Sequence, residues 1–468
     1  MQPLRATTGI LTRTAEAKNK TEEAQEKEGL ELAVTSSQME DVNTLEITEE
    51  KLSDAIKQQF GNNKDFSVTD NEDGSFLVSM NDTQRMYYID ENGEIIDQSK
   101  MLKISTADEL KAFRNDVNSG NTYDGWYVYL ENDITLDINE EWEPIGLYLM
   151  ENSSPADETN KPFKGIFDGR GHEVNGIYIN TTDKVQGLFG LVSGGTIKKL
   201  GIGENCSITG KISVAAIAGY LYNGSSAINC YNKSNLNVGS YSGGVLGQLS
   251  INCNAVNCYN IGNITSSTTS EMIGGIVGYS HNSHLKKCYN EGTIKSDTNI
   301  ISVAGGIVGS LTSKSLLEEC FNNGEIQGDN IIGGILGQNL DAVIIRNCYN
   351  TGRVRGEIKI GGISGQNTAE LYNCYNIGVI EGSERIGGIA GENNVSSSYY
   401  TTGIIKNTYS LKNMCGNICG YNSKNSIVEG SSIKTEEELK LISTTLGNAF
   451  KEDYSNNINN GYPIFQWQ

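Results

Sequence analysis

Gly333-Gly334-Ile335-Leu336-Gly337-Gln338, followed ten residues later by Cys348-Tyr349-Asn350-Thr351-Gly352, is the stretch that decides the fold, because both halves recur. Gly274-Gly275-Ile276-Val277-Gly278 leads to Cys288-Tyr289-Asn290-Glu291-Gly292, and Gly305-Gly306-Ile307-Val308-Gly309 leads to Cys320-Phe321-Asn322-Asn323-Gly324. The Gly-Gly-Ile-x-Gly unit begins at 186, 215, 243, 274, 305, 333, 361 and 387, in steps of 26 to 31 residues, with a worn copy at 416. Its closing glycine recurs as Gly247, Gly278, Gly309, Gly337, Gly365 and Gly391. A period of this kind fixes the architecture before any local propensity does.

Each repeat holds two short apolar segments rich in Ile, Val and Tyr, separated by Gly, Asn and Ser. Such runs argue for strands. No repeat carries an uninterrupted helical stripe, so helical solenoids fit poorly. A single repeat cannot bury its own apolar face, whereas a stack can. The expectation is a right-handed parallel β-helix of about eight to ten coils, one coil per repeat, spaced at ~4.8 Å.

Outward from the repeats, the charge is uneven. Residues 1–160 hold 13 Lys and Arg against 34 Asp and Glu, a charge of −21, while 161–468 hold 23 of each. The sequence pI of about 4.7 argues against a nucleic-acid partner. No run of eighteen apolar residues spans a membrane, and Met1-Gln2-Pro3-Leu4-Arg5 lacks the apolar core of a signal peptide. Any membrane attachment is expected to come from an N-terminal segment absent from this sequence.

In chain order, 1–35 reads as an exposed, charged helix and 36–100 as a small α+β module. That module has a helix capped by Thr48 and ended by Gly61. Strands follow over 65–69, 76–80, 85–89 and 94–97, with hairpin turns at Asp73-Gly74 and Asn92-Gly93. Residues 101–185 form the N-terminal cap and first coils, with a capping box of Thr106 and Glu109. The repeats occupy 186–425. A C-terminal cap over 426–468 starts a helix at a second capping box, Thr435 and Glu438, running to about Lys451.

Several clusters could carry chemistry. The three histidines, His172, His281 and His284, form no His-Glu-x-x-His motif, and His281-Asn282-Ser283-His284 reads as a surface loop. Asp168, Arg170 and His172 are the one compact acid–base group; Asp-Gly-Arg-Gly-His reads more simply as a tight turn. Six of the ten cysteines, Cys230, Cys258, Cys288, Cys320, Cys348 and Cys374, share one repeat position and read as a buried column of free thiols. Cys415 and Cys419 are close enough in sequence to pair. No cofactor or metal is expected. The exposed-looking segments 280–282, 339–341 and 367–369 change freely.

The tyrosines of Cys-Tyr-Asn (Tyr231, Tyr259, Tyr289, Tyr349 and Tyr375, with Phe321) form a second column. Strand alternation puts Cys and Asn on one face and Tyr on the other, and leaves open which face is inside. If the rings face out, Tyr289, Tyr349 and Tyr375 are the candidate ligand contacts. The tandem asparagines are expected to form a ladder.

These units, headed by Gln186-Gly187-Leu188-Phe189-Gly190 and preceded by Phe167-Asp168-Gly169-Arg170-Gly171-His172, resemble the GLUG repeat of bacterial surface proteins and of the non-catalytic part of immunoglobulin A metallopeptidases. The resemblance covers 104–468 and implies a parallel β-helix on an exported, cell-surface protein. Thr8-Gly9-Ile10-Leu11-Thr12-Arg13-Thr14-Ala15-Glu16-Ala17-Lys18 looks like the segment after the apolar helix of type IV pilin-like proteins of Gram-positive bacteria. Together they imply a non-enzymatic, extracellular bacterial protein for adhesion or display, whose partner is a host glycan or a host or bacterial surface protein. The alternatives are a carbohydrate-active β-helix enzyme and a purely structural stalk or pilus-tip component.

Overall fold

The computed structural model describes residues 3–39, 47–61, 64–71, 74–91, 93–149, 154–266, 271–296, 301–396, 401–455 and 457–468. About 43% of the chain is strand and 14% helix. It divides into two units, residues 1–102 with 125–127, and 103–124 with 128–468.

In the first unit, α1 (Pro3–Met39) and α2 (Glu49–Phe60) pack on an antiparallel meander of β1 (Phe66–Asp70), β2 (Phe76–Met80), β3 (Arg85–Ile89) and β4 (Ile95–Asp97). Thr48 caps α2 through Lys51 N, and Gly61 ends the helix. The hairpin turns fall at Gly74 and Gly93, both at positive φ; their partners Asp73 and Asn92 lie outside the described residues. The helix expected to stand exposed over 1–35 instead shares a core. Leu30, Ala33 and Val34 are buried with Leu52, Ile56, Phe76, Val78 and Tyr87. Glu26 is buried too, and accepts from Arg85 Nη1 at 2.9 Å, Tyr87 Oη at 3.1 Å and Thr83 Oγ1 at 2.8 Å. Sequence counting missed this because the stripe is thin. Three apolar residues on one side suffice when a buried carboxylate is paired on the same side. The side chains of residues 1–16, which carry most of the pilin-like stretch, lie outside the described residues.

The second unit is a parallel β-solenoid of about eleven turns. It is entered through α3 (Ala107–Ser119), whose capping box of Thr106 and Glu109 is complete. One coil runs through the strands Val277–His281, His284–Lys286, Tyr289–Asn290, Ile294–Ser296 and Val303–Gly305, then steps up to Val308–Thr312. Each strand pairs in parallel with its equivalent one repeat away: Tyr259 with Tyr289, Tyr289 with Phe321, Phe321 with Tyr349. The corner before each cysteine is left-handed, at φ 53° for Asn257, 56° for Lys287, 54° for Glu319 and 53° for Asn347.

Both repeat motifs serve the coil interior. The two halves of a repeat meet across it. A Cβ on Gly275 would lie 2.1 Å from Gly306 O and 2.5 Å from Asn290 Cγ, so the second glycine makes room for the asparagine. The closing glycine packs on backbone. A Cβ on Gly278 would sit 2.3 Å from Ser242 N, and those on Gly247, Gly309, Gly337, Gly365 and Gly391 would meet backbone within 2.6 Å. Cys230, Cys258, Cys288, Cys320, Cys348 and Cys374 are buried and free. Cys415 and Cys419 are free as well, so the pairing considered for them is absent.

The asparagines form a ladder inside the coils. Asn232 Nδ2 donates to Asn260 Oδ1, Asn260 to Asn290, Asn290 to Asn322, Asn322 to Asn350 and Asn350 to Asn376, every bond at 2.8 Å. A second ladder runs from Asn339 through Asn367 and Asn393 to Asn422, at 2.7 and 2.8 Å. Asn339, Asn367 and Ser280 are fully buried, which corrects the expectation that 280–282, 339–341 and 367–369 are free surface. Their column reads Leu221, Leu249, Ser280, Leu311, Asn339, Asn367 and Asn393. It changes in polarity because an amide rung can replace an apolar one where its hydrogen bonds close.

The C-terminal helix expected to reach Lys451 is two short ones, α4 (Glu436–Lys440), with the Thr435–Glu438 capping box, and α5 (Ser443–Leu446). They lie on the solenoid's flank. Leu439, Ile442, Leu446, Phe450 and Phe465 bury Phe321, Tyr349, Tyr375 and Tyr409.

Candidate functional site

With Cys and Asn inside, the Cys-Tyr-Asn rings point outward from the coils. Tyr231, Tyr259, Tyr289, Phe321, Tyr349 and Tyr375 stack at centroid distances of 4.8 to 5.0 Å and interplanar angles of 3 to 10°. Tyr231 lies over Gly201 of the preceding coil, whose added Cβ would come 2.3 Å from the ring. Each ring face is therefore covered by its neighbour. What this column presents is ring edges and hydroxyls.

The three candidate contacts separate. Tyr349 and Tyr375 are 2% and 0% exposed beneath the C-terminal segment. There Gln468 Nε2 donates to Tyr349 Oη at 2.8 Å, and Asn459 Nδ2 to Tyr375 Oη at 2.7 Å. Neither can touch a ligand in this conformation. Tyr289 stays half-buried, and burial pushes its phenol up to about 12. The stack is a brace along the solenoid more than a binding platform.

The acid–base groups disperse. Asp168 Oδ1 accepts from Arg170 N at 2.7 Å and Asp168 Oδ2 lies 3.9 Å from Lys198 Nζ. The Arg170 guanidinium sits 3.8 Å over the Tyr129 ring, and His172 Nδ1 lies 3.2 Å from Asp133 Oδ1. Arg170 is left-handed at φ 51°, as a tight turn requires. His281 and His284 end and begin strands on either side of a corner, and each engages the next coil: His281 Nδ1 with Thr312 Oγ1 at 3.1 Å, His284 Nε2 with Glu318 Oε1 at 3.2 Å. Among the described residues, no group of three His, Cys, Asp or Glu side chains is placed to hold a metal ion.

Glu318 anchors a row of charges. It is buried between Lys286, at 3.0 Å, and Arg346 Nε, at 2.7 Å, its in-register neighbours on the coils either side. Burial pushes its carboxyl up, but hydrogen bonds from Lys286 and Arg346 outweigh that and hold it below the ordinary glutamate range.

A less regular aromatic surface lies elsewhere. A groove of about 650 Å³ in the first coils is lined by Glu141, Glu143, Tyr148, Thr181, Asp183 and Gln186, among others. Tyr148 is also the start of a second aromatic run. Its ring lies 6.4 Å from Tyr220 at 45°, and Tyr220 lies 6.3 Å from Tyr222 at 78°. Tyr241 meets Tyr279 edge-on at 5.9 Å. Tilted and T-shaped contacts cover less ring face than the parallel stack does. In register along the coils this outward column reads Tyr220, Gln248, Tyr279, Ser310, Gln338 and Gln366. All four of Tyr148, Tyr220, Gln248 and Tyr279 are half-buried. The sequence signal is the residue after the closing glycine of each unit, which in this column varies among Tyr, Gln and Ser and so repeats less regularly than Cys-Tyr-Asn.

Fold and surface define a parallel β-solenoid repeat protein with a braced flank and a separate aromatic–amide face. No protein-family model matches the chain, and no curated protein does. Among solved structures an IgA1 protease is similar, at 15% identity and a TM-score of 0.38, over 75% of this chain and 25% of that chain. The chain thus spans about a quarter of the length of that protein. Likeness that loose transfers no activity, so function is argued from the surface itself. Among the described residues no helix is long and apolar enough to cross a membrane.

Proposed function

We propose that the chain is a non-enzymatic bacterial surface or secreted repeat protein that binds an extended glycan along its solenoid. The observation that carries this is the Tyr148–Tyr220–Tyr222 run beside the groove, continued by Gln248 and Tyr279. Aromatic faces take the apolar faces of sugar rings, and neighbouring amides and carboxylates take hydroxyls. Tyr220 and Tyr279 are two coils apart, ~10 Å at coil spacing, which suits a polymer lying along the axis. Glu141, Glu143 and Asp183 favour neutral or basic sugar chains over anionic ones. The GLUG-like repeat pattern supports a surface setting.

The test is binding of the whole chain to a broad glycan and extracellular-matrix array at physiological and high salt. The expected result is salt-resistant binding to one class of neutral or basic glycan. Tyr220→Ala should weaken it roughly tenfold, a loss of ~1.4 kcal/mol, and Tyr289→Ser should leave it unchanged. No binding to any class, or binding insensitive to Tyr220→Ala, would overturn this site and return weight to the stalk. New reducing or unsaturated sugar ends in the same incubation would point to the enzyme alternative.

A further inference from the structure

The two ends of the solenoid are unlike. At the head, α3 covers the first coils: Leu110, Phe113 and Val117 are buried, and the Phe113 ring lies 5.7 Å from Phe163 and 5.9 Å from Phe167. Among the described residues the tail has no such lid. The final coil consists of the strands Cys419–Asn422, Ile427–Glu429 and Ser432–Lys434, each the terminal strand of its parallel sheet. Val428 occupies the inward position that Ile405 fills one coil earlier; Ile405 is fully buried, whereas Val428 is 39% exposed. Ile427 and Tyr421 are 43% and 45% exposed. The second asparagine ladder ends there too. Asn422 Oδ1 accepts from Asn393 at 2.8 Å, and Asn422 is itself exposed. The C-terminal segment, which could have closed this end, is spent on the flank over Tyr349 and Tyr375.

We infer that the open last coil is an interface for a second copy of this chain, joined tail to tail. Unpaired strand edges around an uncovered apolar core are a template for further strands. Three features choose the occupant. The head of another copy cannot stack there, because α3 closes it. One open end per chain gives an isologous contact that stops at two, with no open filament. The charges also permit it. Residues 415–434 hold two lysines and one glutamate, whereas 104–160 hold two basic and thirteen acidic residues, so tails meet without the repulsion heads would feel. Two copies related by a twofold axis would pair these edges in antiparallel fashion and bury Val428 and Ile427.

Sedimentation equilibrium of the full chain over a hundredfold concentration range tests this. The expected mass rises to twice the 50.8 kDa of one chain, and Val428→Lys holds it at one chain while the circular dichroism spectrum stays unchanged. Hydrogen exchange of the unaltered protein gives a second readout that needs no variant. Protection of Cys419–Asn422 and Ile427–Glu429 should increase with concentration, and that of α3 should not. A single-chain mass throughout, a dimer that survives Val428→Lys in a folded protein, or concentration-dependent protection elsewhere would overturn the inference.

Discussion

Replacing Asn322 by alanine should cost more than any surface change of the same size. The side chain sits in the middle of the longer ladder and is fully buried. Its Nδ2 donates to Gly324 O and to Asn350 Oδ1, both at 2.8 Å, and its Oδ1 accepts from Asn290 Nδ2 at 2.8 Å. Alanine leaves three buried groups without those partners: one N–H of Asn290, the Asn350 amide oxygen and the Gly324 carbonyl. A buried polar group stripped of its partner costs ~1–3 kcal/mol, so three of them put the loss at about 3–9 kcal/mol. Asn322→Ser should cost roughly half of that, because a hydroxyl keeps part of the network, as Ser410 does for Asn376 at the end of this ladder. Asn339→Leu, at the start of the second ladder, should also cost less. Leu311 precedes it in register, and two hydrogen bonds are lost there: those to Asn367 Oδ1 and from Thr368 N, each at 2.7 Å. Urea unfolding followed by far-ultraviolet circular dichroism gives the midpoints. Hydrogen exchange over the flanking coils reports the same loss if the array unfolds in stages. A cost under about 1 kcal/mol for Asn322→Ala, or equal costs for Asn322→Ala and Asn339→Leu, would refute the ladder as a stabilising device.

Two further outcomes follow from the same geometry. Glu318 is held below its ordinary value, so its contribution is complete above the unfolded glutamate value, ~4.3, and is lost as pH falls through the lower folded value. Acid unfolding of Glu318→Gln should therefore show a shallower loss of stability below that pH than the unaltered chain; identical acid profiles would contradict the pairing with Lys286 and Arg346. Of the ten cysteines, only Cys206, Cys415 and Cys419 are partly exposed among the free thiols, and burial pushes the Cys419 thiol up to about 12. A colourimetric thiol reagent at pH 8 should thus titrate no more than three sites in the native protein and all ten in denaturant. Rapid reaction of more than three would mean that the cysteine column is open.

Much of the solenoid was legible because its causes are periodic. The Gly-Gly-Ile-x-Gly step, the cysteine column and both capping boxes are local or repeating patterns, and each appears where its residues stand. What stayed hidden was set by partners distant in sequence. Sequence alternation left the Tyr column free to face either way; Asn290 lodging against Gly275 settles that it points outward. Whether an outward ring meets solvent then depends on a segment 116 residues further on, since Phe465 lies over Tyr349 at 5.1 Å. Nothing around Tyr349 announces that. The pairing of Glu26 with Arg85, 59 residues apart, turned an apparently exposed helix into half of a core in the same way. The aromatic run from Tyr148 to Tyr220 crosses between non-repeating and repeating parts of the chain, so no period links its members.

The division of labour between the two faces has a physical reason. Apolar columns alone would hold coils together yet tolerate slippage, because one Ile fits against another in several registers. Amide rungs do not: each Asn must meet the next at one height, and a shift of one residue would send it to the opposite face. The ladders from Asn232 to Asn376 and from Asn339 to Asn422 therefore fix register from within, and the stacked rings from Tyr231 to Tyr375 fix it again from outside. With register secured twice, the column of Tyr220, Gln248, Tyr279, Ser310, Gln338 and Gln366 adds only single side-chain bonds, such as Gln338 Nε2 to Ser310 Oγ at 3.4 Å and Lys359 Nζ to Gln366 Oε1 at 3.1 Å. Exchanging Gln338 for Tyr should then leave stability within the ~0.5 kcal/mol expected of surface changes while extending the aromatic run by two coils. If that exchange destabilises the chain as Asn322→Ala does, the face proposed for binding is a structural one after all.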